Sequence, residues 1–382
     1  MTVSLLTSTL DVRKGWGRYS ASLAVALARI GLRVELHVPR RYRAQLVPAS
    51  RLEIRNSLPA AFVTFGWRPW RLASLYAGSL NLEVRGRLVH SLVEVPYACV
   101  ARWIAERRSL PYLVTLHGSY ATKWANHPAD RFLFGPALRR ASCLVAVSNR
   151  TAAKARLHLP EAPIEIIPNG VDLEAFACAA GERSAARSGL GLTAGDKLIL
   201  SVGALKPRKG FDTLLEAFAI VRRSAPGARL LIIGSGDPAP YHDLARRLGI
   251  ADTVQFLANV PEEELPRLYH AADLFALLPK ELSTGEMEGF GLVYLEAAAC
   301  GKPAVGARSG GVADAVIDGH TGLLVDPGRP EQAARALLAL LNDEELARRL
   351  GENGRRHAEA HTWGRIASRY AALYETVLGK TR

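Results

Sequence analysis

"EMEGFGLVYLEAAACGKP", Glu286 to Pro303, sets two carboxylates, Glu288 and Glu296, on either side of seven mostly apolar residues that begin with a Gly-Phe-Gly turn. Residues 291–299 read as a buried helix, Gly301 stops it, and "KPAVGA" opens a strand. Upstream, "LFALLP" (274–279) reads as a strand, so "EGFG" falls at a helix N-terminus beyond a strand's carboxyl end. There the first backbone N–H groups lack partners within the helix and the dipole is positive. Glycine lets an anion approach that backbone closely. Glu296 follows about 7–8 Å further along the axis at 1.5 Å per residue, the span from a diphosphate to the ribose of the same nucleotide. Glu288 stands on the other side of the helix start, where a group beyond the diphosphate would lie. The two acids are thus placed to accept hydrogen bonds from hydroxyl pairs, with no metal required. Solvated surface positions fit poorly, because Phe290, Leu292, Val293, Tyr294 and Leu295 lie between them.

The same alternation extends along the chain. Before the motif come "LILSVGAL" (198–205), a helix at 211–224, "ARLLIIGSG" (228–236), a helix at 241–249, "TVQFLANV" (253–260) and a helix at 261–273. The last carries acids in its first turn, where the dipole favours them. The first half repeats the plan, with strands at 2–8, 33–39, 88–92, 112–118 and 142–148 and a helix over 17–31 that ends at Gly31. "IEIIPNGVD" (164–172) runs a strand into a turn, and the looser run behind it marks a boundary. Strand–helix alternation means parallel sheets covered on both faces. The expected fold class is therefore α/β, with two Rossmann-like, doubly wound domains at residues 1–170 and 171–361. An amphipathic run within 362–382 should pack back on the first domain as a helix. Open parallel sheets bind ligands beyond the carboxyl ends of their strands, so the site is expected in an interdomain cleft.

Composition bounds the rest. With 382 residues, 49% hydrophobic and 22% charged, the chain is a packed globular protein of two-domain size. No apolar run approaches the roughly 18–20 residues of a membrane span. "MTVSLLTSTLDVRKGWG" has no basic region ahead of its apolar run, so no cleaved signal is expected. Cys99, Cys143, Cys178 and Cys300 are scattered, without CxxC or neighbouring histidines, and read as free thiols in a cytoplasmic protein with no structural zinc. The net charge of +13 is lopsided: residues 1–170 hold 24 Lys+Arg against 9 Asp+Glu, and residues 171–382 hold 25 against 27. Such a basic half faces a membrane surface, an acidic acceptor or nucleic acid, or else carries a solvated charge with no partner. "FGWRPWRLASLYAGSL" (65–80) interleaves Trp67, Trp70 and Tyr76 with Arg68 and Arg71. Such a helix suits an anionic membrane surface at the inner face of the plasma membrane, or packing on the first sheet with its arginines in water.

The opening motif resembles the Glu–seven–Glu signature of the retaining, GT-B-fold nucleotide-sugar glycosyltransferases of the large family-four group. "VAVSNRT" (145–151), "IIPNGVDLEAF" (166–176), "VGALKPRKGFDTLLEAF" (202–218), "LIIGSG" (231–236) and "SGGVADAVIDGHTGLLVDP" (309–327) match its landmarks in order, so the resemblance covers essentially the whole chain. It implies that Glu288 contacts the donor sugar and Glu296 the ribose. Gly289, Phe290, Gly291 and Leu292 complete the wall over sugar and phosphate, and base contacts are made by backbone near Val260. Lys209 would neutralise the leaving diphosphate, whose charge grows in the transition state. Many members carry Gly-Arg-Leu where this chain has Gly203-Ala204-Leu205, which assigns the second cation to Arg208. The run "LLPKELSTGEMEGFG" is longer than in many members, as in transferases acting on lipid acceptors.

In the first domain, "KGWGRYSASLAVAL" is similar to the family's glycine-rich loop, with Gly15 and Gly17 lining the donor site and Lys14 in place of the usual first glycine. His117, in "TLHGSY", would lie near the transferred sugar. His117, Lys209 and Glu288 are thus the catalytic candidates. The resemblance implies front-face attack: the leaving diphosphate oxygen helps take the acceptor's proton as an oxocarbenium-like centre forms, and the protein supplies orientation and charge. No Asp-x-Asp stands at a plausible strand end, so neither a metal nor any other cofactor is expected. The expected partners are a UDP- or GDP-linked sugar and a lipid-linked or saccharide acceptor, with no nucleic acid. An oxidoreductase reading rests on Gly234-x-Gly236, which lacks a third glycine and a closing acid. A basic nucleic-acid-binding module would leave Glu288, Glu296 and Lys209 without a role.

Overall fold

The computed structural model describes residues 1–42, 49–62, 70–177 and 181–380. The chain divides into two compact units, Met1–Gly170 with Trp363–Arg382, and Val171–Thr362. The first is built on a seven-stranded sheet of β1 (Thr2–Leu6), β2 (Arg33–Pro39), β3 (Leu52–Leu58), β4 (Val89–Ser91), β5 (Tyr112–Leu116), β6 (Cys143–Ala146) and β7 (Ile164–Ile166). The order is β3-β2-β1-β4-β5-β6-β7, and every pairing is parallel. Helices cover both faces, so the central strands are buried on both sides: all of Tyr112–Leu116 is buried, the polar Thr115 included. The order reverses between β1 and β4, which marks the switch point where such sheets hold ligands.

The second unit has a six-stranded sheet: β8 (Lys197–Val202), β9 (Ala228–Ile233), β10 (Val254–Leu257), β11 (Leu274–Leu277), β12 (Ala304–Ala307) and β13 (Gly322–Val325). Its order is β10-β9-β8-β11-β12-β13, again all parallel, with the switch between β8 and β11. The loops that leave β8 and β11 carry Lys209 and Glu288. Both units therefore have the expected doubly wound α/β architecture.

The helix Trp363–Lys380 belongs to the first unit, where Tyr370, Tyr374 and Val377 are buried. Its tyrosines enter a polar core: Tyr370 and Tyr19 hydroxyls are 2.6 Å apart, and the Tyr374 hydroxyl lies 2.7 Å from His90 Nδ1. Gly170 admits this helix, because a β-carbon there would come within 2.7 Å of the Trp363 indole.

Three expectations need adjustment. The first long helix runs Gly15–Arg29, so Gly15 and Gly17 are in its opening turn and not in a loop before it. Strand β3, "LEIRNSL", shows no apolar run because it is an edge strand with only Leu58 buried. Of the 65–80 segment, Trp67 and Arg68 lie outside the described residues, as does Cys178. The helix Trp70–Ser79 buries Leu75, stacks Tyr76 on Trp103 at 6.1 Å and sets Arg71 over the Phe62 ring, which shows packing on the protein. Trp70, on the same helix, is 61% exposed. Among the described residues no helix is long and apolar enough to cross a membrane.

Candidate active site

In the second unit the site is assembled from chain crossings that only glycine permits. After β8 the backbone turns at Gly203, whose N–H donates to Ile233 at 2.8 Å. A β-carbon on Gly234 would lie 1.9 Å from the Gly203 oxygen. A single 3-10 turn, Pro207–Lys209, follows and ends at Gly210 with φ of 69°. Lys280 N–H donates to the Arg208 carbonyl at 2.9 Å, and Lys280 Nζ pairs with Asp212 at 2.5 Å, which ties this turn to the long loop after β11.

That loop closes on itself through Leu282 N–H to Glu286 and Gly285 N–H to Leu282, then delivers Met287, Glu288 and Phe290 into the interior. The Glu288 carbonyl accepts from Gly311 N–H at 2.9 Å, and Gly310, with φ of 59°, lets the "SGG" stretch lie against the Glu288 backbone. Gly291, with φ of 93°, turns into the helix Leu292–Ala299. That helix starts without a side-chain cap and with no acid in its first turn, so its N–H end stays electropositive.

Glu288 and Glu296 are both buried, 8% and 3% exposed, which excludes the solvated alternative. Lys209 Nζ lies 2.6 Å and Arg208 Nη1 3.0 Å from the same oxygen, Oε2 of Glu288. Burial raises the Glu288 carboxyl's pKa, yet the charges of Lys209 and Arg208 outweigh it and hold the group at about 2. Burial lowers Lys209 from its ordinary value against the opposing pull of Glu288. Arg208 therefore turns inward beside Lys209, which supplies two cations despite Ala204. Glu296 accepts from the Tyr269 hydroxyl at 2.8 Å, and Tyr269 is set by Phe176 in a T-shaped contact at 5.6 Å. Val260 is half-buried, just beyond β10.

The N-terminal unit holds the other predicted residues. Lys14 has φ of −104° and ψ of 133°, an extended conformation open to any residue, so no glycine is needed there. A β-carbon on Gly15 would meet nothing within 4 Å, whereas one on Gly17 would lie 2.1 Å from the Asp11 oxygen. His117, directly after β5, donates from Nε2 to the Leu92 carbonyl at 2.8 Å and meets Tyr19 edge-on at 4.6 Å. Burial depresses its pKa to about 4, so the ring is neutral at pH 7. With the Nε2 proton committed to Leu92, Nδ1 is the acceptor of this tautomer. The His117 backbone N–H donates to Glu94, a fully buried acid that burial lifts to about 8.

Leu92, Glu94 and Tyr269 were missed from sequence. Each reaches its partner across 23 to 27 positions and carries no motif of its own. Among the described residues no group of three or more His, Cys, Asp or Glu side chains could hold a metal ion.

Residues 13–175 match the model of Glycosyltransferase Family 4, and residues 182–357 match Glycosyl transferases group 1. A D-inositol 3-phosphate glycosyltransferase of Segniliparus rotundus is 35% identical over 336 residues, spanning 81% of this chain and 72% of the relative. The chain belongs to the family-4 glycosyltransferases. Another relative of this glycosyltransferase is a GDP-mannose-dependent alpha-(1-6)-phosphatidylinositol monomannoside mannosyltransferase of Mycolicibacterium smegmatis, 35% identical over 72% of each chain. Among solved structures, sucrose-phosphate synthase from Thermosynechococcus elongatus superposes with a TM-score of 0.79 at 24% identity, covering all of both chains. The glycosyltransferase thus has the GT-B fold, and it transfers a sugar from a nucleotide-sugar donor to an acceptor.

Proposed function

We propose that the enzyme moves a hexose, with retention of anomeric configuration, from a UDP- or GDP-linked donor to an acceptor bearing an inositol phosphate, free or as a lipid headgroup. The acceptor class is supported by the names shared among relatives and by the basic first half, and GDP-mannose by one of those names. The observation that carries the donor site is the convergence of Lys209 and Arg208 on Glu288 at the start of an uncapped helix. In this reading the two cations and the helix N–H groups hold the diphosphate, Glu296 the ribose and Glu288 the sugar's hydroxyls. The backbone from Gly289 to Leu292 lines the sugar and phosphate, and that near Val260 the base.

The C1–phosphate bond breaks and the C1–acceptor bond forms on the same face. The acceptor's proton passes to the departing phosphate oxygen. Lys209 and Arg208 stabilise the charge that grows there, a task that needs no metal. Neutral His117 offers Nδ1 to a sugar hydroxyl, a fixed acceptor beside a cationic centre.

Incubation with UDP-, GDP- and ADP-hexoses and inositol phosphate, with proton NMR of the product anomer, tests the proposal. Retained configuration is expected, with activity indifferent to chelator. Inversion, or activity lost to chelator and restored by manganese, contradicts it. Salt-sensitive co-sedimentation with anionic vesicles is expected if the acceptor is drawn from a membrane; binding independent of anionic lipid removes that part.

A further inference from the structure

The geometry of the two cations points to a second role for Glu288. Arg208 and Lys209 do not take one carboxylate oxygen each; both converge on Oε2, at 3.0 and 2.6 Å. A single anionic oxygen therefore sits between two cations, the position a phosphate oxygen bridging them would need. The arrangement is built, not incidental. Lys209 is only 8% exposed, its stem passes 3.5 Å from the place of a Gly203 β-carbon, and Lys280 N–H fixes the Arg208 carbonyl. The Lys209 side chain is thus held by burial, and Arg208 is held through its backbone.

We propose that Glu288 sets the enzyme's hold on the nucleoside diphosphate by competing with it for Arg208 and Lys209. The inference rests on the donor site described under the proposed function. With a sugar still attached to the diphosphate, hydroxyl hydrogen bonds to Glu288 offset the contacts it cedes. Once the sugar has been transferred, the carboxylate has only the two cations to return to. It then works against the diphosphate that holds them, so the same side chain that seats the donor sugar speeds departure of the spent nucleotide, a step that often limits turnover.

The test is calorimetric titration of wild type, Glu288→Gln and Glu288→Asp with UDP, GDP and ADP, and separately with inorganic pyrophosphate. Glutamine keeps the shape and removes the charge. It should bind whichever nucleoside diphosphate the wild type binds about tenfold more tightly, a change worth 1.4 kcal/mol, while multiple-turnover sugar transfer falls. Pyrophosphate should tighten in parallel, because the effect acts at the phosphates and not at the base. Aspartate keeps the charge but withdraws it by one methylene and should fall between the two. Unchanged or weaker diphosphate binding by a folded Glu288→Gln protein, with wild type binding normally, overturns this inference and leaves the donor site standing. Failure of the wild type to bind any nucleoside diphosphate overturns both.

Discussion

Gly210 lies so close to the Leu278 carbonyl that a β-carbon on it would stand 1.7 Å from the oxygen. The contact joins the turn after β8 to the end of β11, and it decides where the preceding residue, Lys209, points. With φ at 69°, the position is also strained for any L side chain. Gly210→Ala is expected to cost on the order of 1–3 kcal/mol from backbone strain, and more from the overlap. Thermal unfolding should show the loss, and donor affinity should fall because Lys209 is displaced. Wild-type stability and affinity would show that the turn is not needed to aim the lysine.

Lys209→Met removes one of the two cations on Glu288 and retains an apolar stem of similar length. Loss of a fixed charge at a leaving group typically costs about 10²–10³ in kcat, and that range is expected here. Stability should fall by less than the about 3–5 kcal/mol of stripping a buried ion of its partner, because Arg208 remains. Single-turnover kinetics separates the two effects.

Tyr269→Phe deletes the hydroxyl that donates to Glu296 at 2.8 Å and keeps the ring on Phe176. A hydrogen bond to a charged group contributes about 1.5–3 kcal/mol. The expected signature is a raised KM for the donor with a smaller change in kcat, since Glu296 is assigned to the ribose, away from the reacting carbon. A pure kcat defect would contradict that assignment.

The first unit should be most stable near pH 6.5. Burial lowers His90 to about 3 and His117 to about 4 from an ordinary 6.5, so unfolding takes up protons as pH falls below 6.5. Their contribution is whole above that pH and lost as pH drops through the folded values. Glu94 has the opposite sign: raised from 4.5 to about 8, it contributes fully below 4.5 and loses that contribution as pH rises to 8. Each one-proton difference tilts stability by about 1.4 kcal/mol per pH unit. Two rising terms against one falling term operate between 4.5 and 6.5, and only the falling term above. Glu94→Gln should therefore flatten the pH 6.5–8 limb of the unfolding temperature and steepen the limb between 4.5 and 6.5, where its opposing contribution is lost. An unaltered alkaline slope would refute the assignment.

The strands, the main helices and the position of the opening motif were legible because apolar runs ended at glycine and proline where the chain turns. "GLVYLEAAACG" is a helix closed by Gly291 and Gly301, and both carry positive φ. Edge strand β3 was not legible, since a strand paired on one side and wet on much of its surface need not be apolar. Nor was the convergence of Arg208 and Lys209 on one oxygen of Glu288, or the choice of Tyr269 as partner to Glu296. Those are tertiary facts, fixed by which loops meet at a switch point and not by any local pattern.

The most direct test of the central claim is nucleoside diphosphate release from a panel of UDP-, GDP- and ADP-sugars in the presence of inositol phosphate, for wild type, Glu288→Ala and Lys209→Ala. Wild type should release diphosphate from at least one donor, and each variant should fall by about 10²-fold or more while remaining folded. Release from none of the three donor classes, or wild-type turnover after loss of Lys209, would contradict the account.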